Sequence, residues 1–167
     1  MKKIKILKAI IDFIWWVSVV GAAILLFILI GILFGLVELS PDFSVNRINI
    51  SNLTIWQSTT IIVLSLFNLL GLYCLYLFRQ IVHSFNLLKI FNLLIIKNFN
   101  KIGFYLLIIG VANILNTFLA HLFNNSIYLK IEFGFEISCI CLGLFSITLS
   151  EIFNIAKSAK QENDLTI

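Results

Sequence analysis

Two side chains in this 167-residue chain stand where a proton could be exchanged inside an apolar environment. His121 lies near the end of one long apolar run and Glu136 lies a similar depth inside the next. On neighbouring helices they can serve as a structural contact that closes one end of a bundle, or as a proton-sensitive pair. A second set is made of amides and hydroxyls. Asn68 falls in one apolar run, and Asn113, Asn116 and Thr117 share another with His121. Such groups are costly when they face lipid, so they should turn inward. There they either bridge helices by hydrogen bonds or line a polar path for a small substrate.

Nothing else in the chain offers a reaction. His83 sits in a basic segment with no acid or cysteine near it and reads as an interfacial side chain. Cys74, Cys139 and Cys141 all lie inside apolar runs. On a helix, Cys139 and Cys141 point about 200° apart, which suits neither a redox motif nor a zinc site. There is no HExxH, no GxSxG and no glycine-rich phosphate loop. The expectation is therefore no catalytic residue, no metal ligand and no cofactor.

The elements that must position these residues are four apolar runs. Hydrophobic residues make up 60% of the chain and charged ones 12%, and the mean hydropathy is +1.06. These values belong to membrane proteins rather than soluble domains. Phe13 to Val37 contains 25 residues without a charge, enough at 1.5 Å per residue to cross a hydrocarbon core about 30 Å thick. It is longer than a cleavable leader and lacks a small-residue cleavage site, so it is expected to stay as an anchor. The spacing predicts spans over about 10–37, 55–78, 102–123 and 133–155. In the first, Ser18, Gly21, Ile28, Gly31 and Gly35 lie down one side, and Gly31 with Gly35 forms a GxxxG that can pack within the chain or between copies. Trp15, Trp16, Trp56, Tyr73 and Tyr76 fall near span ends, as interfacial aromatics do.

Charge sets the direction. Ten of the twelve Lys and Arg fall before span 1, between spans 2 and 3, and after span 4, leaving only Arg47 and Lys130 in the segments 38–54 and 124–132. This asymmetry predicts four spans with both termini cytoplasmic. The net charge of +4 is spread around apolar runs rather than gathered on one face, so direct nucleic-acid binding is not expected. Residues 45–55 are rich in β-branched side chains, which suits a short hairpin. The stretch 79–101 has too many apolar residues for a solvated connection. Lys89, Lys97 and Lys101 among them suggest a helix lying on the inner membrane surface; the alternative is two helical extensions of the spans joined by a turn near Phe91 and Asn92.

The last eighteen residues, SEIFNIAKSAKQENDLTI, carry a resemblance. Glu151-Ile152-Phe153 after the fourth run, and the closing Glu162-Asn163-Asp164-Leu165-Thr166-Ile167, are similar to the ending of the bacterial Domain of Unknown Function 2975 family. Phe91-Asn92 followed by Lys97, Lys101, Ile102 and Gly103 resembles the family's stretch leading into its third span. The chain departs from that pattern at Ile90, at Leu93-Leu94-Ile95 and at Ala156. Members of the family are typically encoded beside a small Cro/CI-type helix-turn-helix regulator. The resemblance thus implies a membrane partner or sensor for such a regulator.

The expected architecture is an all-α membrane protein of four transmembrane helices in a bundle, with an interfacial helix between spans 2 and 3. Its partners are the lipid bilayer and, by the resemblance, a small cytosolic helix-turn-helix regulator; self-association is open. Candidate contacts are Lys89, Lys97, Lys101, Glu162, Asn163, Asp164 and Leu165. The tail either docks on a basic partner or folds back over the loop lysines. The second functional reading is a small transporter or channel component built on Asn68, Asn113, Asn116, Thr117, His121 and Glu136.

Overall fold

Each apolar run forms one helix, and every helix is longer at its basic end than hydropathy alone requires. The structure, a computed structural model, describes residues 2–33, 44–45, 48–49, 55–87, 92–123 and 134–165. Helices α1 (Lys2–Leu33), α2 (Ile55–Asn86), α3 (Leu93–Phe123) and α4 (Gly134–Leu165) are all long and apolar enough to cross a membrane. Between α1 and α2 lies a two-residue ladder in which β1 (Ser44–Val45) pairs antiparallel with β2 (Ile48–Asn49). The expected hairpin is thus present, beginning one residue before the predicted segment.

The stretch 79–101 holds no separate helix among the described residues. Residues 79–86 complete α2 and 93–101 open α3, which matches the alternative reading. Asn92 is the reason α3 starts where it does: its side-chain Oδ1 accepts from the Leu94 amide at 3.2 Å and its carbonyl accepts from the Ile95 amide at 3.1 Å. An Asn at this position satisfies amides that the first turn leaves unpaired. Part of the apolar excess in this stretch is core, although Leu87, Leu93 and Leu94 are exposed. Ile81 and Ile95 are fully buried, and with Leu77, Phe99 and Ile102 they form the main hydrophobic cluster. Phe153 of α4 stacks on Phe99 with ring centroids 5.6 Å apart and leans on Phe85 at 5.8 Å.

The helices pack chiefly on their sequence neighbours, α1 on α2, α2 on α3 and α3 on α4. Antiparallel alignment brings Asp12, Arg79, Asn98 and Ser150 to one end, together with the start of α1 and the end of α4. α1 is the outlying helix. Its half-buried side includes Lys8, Asp12, Trp15, Ser18 and Ala22, whereas Phe13, Trp16, Val20 and Phe27 are exposed. On the side foreseen to face the bundle, Ser18 and Gly21 are half-buried and Gly31 is buried; a Cβ at Gly21 would meet nothing within 4 Å, whereas one at Gly103 of α3 would lie 2.6 Å from the Gly143 carbonyl of α4. Gly35 lies outside the described residues, so the GxxxG face is only partly seen.

Three contacts fix the register of α3 against α4. Ser150 Oγ donates to the Ile96 carbonyl at 2.8 Å, Gly143 faces Gly103, and Gly110 faces the Glu136 carbonyl. This register offsets α4 toward the basic end. The start of α3 is level with Phe153, so α4 runs on to Leu165 for about 18 Å. At the opposite end Gly134 is level with Ala112, and α3 continues past it for about 16 Å.

Candidate functional site

Polar groups collect where α1, α2, α3 and α4 meet near the basic end. Arg79 of α2 donates through Nε to Asp12 Oδ1 of α1 at 2.5 Å, and its guanidinium lies over the Trp15 ring, 4.9 Å from the centroid. The side chains are 36% and 29% exposed for Arg79 and Asp12. One planar cation therefore satisfies a carboxylate and an indole face on the same turn of α1, a geometry that suits Arg better than Lys. Trp15 is consequently held by α2 and stands edge-on to Trp16, which is the more exposed of the two.

One residue further along α2, Gln80 Oε1 accepts from Asn98 Nδ2 of α3 at 2.9 Å. Asn98 is buried, as are Ser84, whose hydroxyl donates to the Gln80 carbonyl at 3.0 Å, and Ser150. Three successive helix pairs are thus each tied by one polar contact near the same level: α1 to α2, α2 to α3, and α3 to α4. Asp12, Gln80, Asn98 and Ser150 are not among the residues that spacing and motif single out. The available signal was their position: each is a polar residue within or beside an apolar run, and membrane interiors give such groups a reason to pair.

The predicted intramembrane face is only partly assembled. Asn113 is buried, Asn116 half-buried and Thr117 exposed. Asn68 is exposed and its amide donates to the Leu64 carbonyl of its own helix at 3.0 Å rather than bridging to another. Glu136 is half-buried, yet its Oε2 is shielded and has no hydrogen-bond partner among the described residues. Register sets the backbones of His121 and Glu136 at different heights. Glu136 is level with Gly110, three helical turns from position 121, so the two backbones sit about 16 Å apart along the axis. Both lie near the ends of their apolar runs, but α4 is offset.

The predicted contact residues divide between two helices. Lys97 and Lys101 lie exposed on α3, and Lys89 falls outside the described residues. Glu162, Asn163 and Asp164 are exposed on the last turns of α4, which ends at Leu165. Through Leu165 the tail thus extends α4 as a helix. Among the described residues no cluster of three or more His, Cys, Asp and Glu could hold a metal ion.

A family model described as "Protein of unknown function (DUF2975)" matches residues 14–167. The chain belongs to this family. Curated proteins and solved structures give no match. In this DUF2975 protein the Glu151-Ile152-Phe153 element of the family ending takes part in the core, since Phe153 fills the space between Phe85 and Phe99 while Glu151 and Ile152 face outward. The same element is where α4 passes the start of α3.

Proposed function

We propose that this DUF2975 protein is a non-enzymatic, multi-pass protein of the bacterial cytoplasmic membrane whose basic end faces the cytosol and engages a small helix-turn-helix regulator. The observation that carries this reading is the 18 Å continuation of α4 beyond the start of α3. It presents Lys157, Lys160, Glu162 and Asp164 on a helix already formed, so docking would not have to meet the ordering cost of a disordered tail. Orientation rests on the ten cations at that end. The family's habit of lying beside such a regulator supports the partner's identity.

Deleting residues 157–167 is expected to leave insertion and the core intact, because Phe153 and Ser150 are retained. The same deletion should reduce cross-linking to the neighbouring regulator at least tenfold, the effect of losing about 1.4 kcal/mol or more of binding, and change the output of its promoter. Unchanged cross-linking and output in an inserted, truncated protein would remove this reading.

A second reading, a small transporter or channel component, draws on the shielded Glu136 oxygen and the buried Asn113. It makes the opposite forecast: Glu136→Gln or Asn113→Leu stops a solute flux, and the 157–167 deletion leaves it unchanged.

A further inference from the structure

The side of α3 turned away from both α2 and α4 has a pattern that neither packing nor the regulatory reading uses. Lys97 and Lys101 stand one turn apart, and Phe104, Ile108, Val111 and Leu115 follow at alternating spacings of three and four, so the six form one continuous stripe. All six are exposed. The other sides of the helix are occupied, with Ile95, Phe99 and Ile102 in the core cluster and Gly103 against α4. Unlike Arg79, neither lysine has an ion-pair partner among the described residues.

The dimensions of this stripe fit one kind of molecule. Phe104 to Leu115 covers about 16 Å of helix, close to the depth of one leaflet of a hydrocarbon core roughly 30 Å thick. At its head stand two ammonium groups whose backbones are about 6 Å apart along the axis. A cation on a lipid-facing surface is costly unless it reaches headgroup oxygens, and flexible lysine stems permit that reach. An amphiphile with an anionic head and apolar tails would satisfy both parts of the stripe together.

We propose that this face of α3 binds one anionic phospholipid, with its phosphate between Lys97 and Lys101 and its acyl chains along Phe104, Ile108 and Val111. The occupant is a lipid rather than a second copy of the chain, because a copy presenting the same stripe would bring lysines against lysines if parallel, and against phenyl and isoleucyl groups in mid-membrane if antiparallel.

The test uses the full-length protein reconstituted in phosphatidylcholine nanodiscs containing a minor share of phosphatidylglycerol, followed by mild extraction and native mass spectrometry of retained lipid. The wild-type chain is expected to retain phosphatidylglycerol about twenty-five-fold above its bulk share, given roughly fivefold for each of the two lysines near an anionic lipid. Lys97→Gln with Lys101→Gln should remove the enrichment, whereas Lys97→Arg with Lys101→Arg and the control Lys157→Gln with Lys160→Gln should keep it. Lys97→Gln alone, at an exposed position, should lower retention severalfold and serves if the double variant does not fold. Retention of both lipids in bulk proportion, enrichment that survives the glutamine substitutions, or a lipid-free dimer through this face would overturn the proposal.

Discussion

Gly103→Leu should abolish the native pairing of α3 with α4. Even the first added carbon would fall 2.5 Å from Ile147 Cγ1 and 2.6 Å from the Gly143 carbonyl oxygen. The isoleucine can move, but the carbonyl belongs to the α4 backbone. The two helices would have to separate, losing the reciprocal approach of Gly143 to the Gly103 carbonyl and the neighbouring Ser150 bond to Ile96. Overpacking in an adaptable core costs about 1–3 kcal/mol, and against backbone the cost should reach about 3 kcal/mol or more. Gly21→Leu adds a side chain where nothing lies within 4 Å and should stay within about 0.5 kcal/mol of wild type. Thermal unfolding in detergent of the two variants side by side checks the contrast.

Arg79→Ala should loosen α1, the helix with the least packing of its own. The substitution deletes an ion pair and a cation–π contact at once and strands the Asp12 carboxylate beside Trp15. The two side chains are about one-third exposed, so water moderates the loss, and a destabilisation of roughly 2 kcal/mol is expected. Arg79→Lys should recover only part of it, because a lysine cannot span both partners in one plane. In a double-mutant cycle, Asp12→Ala combined with Arg79→Ala should cost roughly 1 kcal/mol less than the two single losses added together. A cysteine pair across α1 and α2 reports the loosening as a slower disulfide yield.

Much of the fold was legible because membrane helices announce themselves by length, and the count of four follows from apolar runs that the structure reproduces. What could not be read was relative height. Hydropathy marks where a helix can sit in lipid, whereas register is set by small contacts such as Gly103 with Gly143, whose partners are forty residues apart. That is why positions 121 and 136 looked level although their backbones sit about 16 Å apart along the axis. The 79–101 stretch misled for a related reason: Ile81, Ile95 and Phe99 bury against one another and against α4, a use that periodicity cannot distinguish from contact with a membrane surface. Asp12 and Arg79 were visible as charges flanking spans, but their pairing depended on which turn of α1 met which turn of α2.

The proposed function requires both chain termini and the continuation of α4 to share the cytosolic side. In a background where Cys74, Cys139 and Cys141 are replaced by alanine, Ser158→Cys places a single thiol on the exposed outer turns of α4. A membrane-impermeant maleimide should leave it unmodified in intact cells and label it in inside-out vesicles. Labelling in intact cells would put the end of α4 outside, where no cytosolic regulator could reach it.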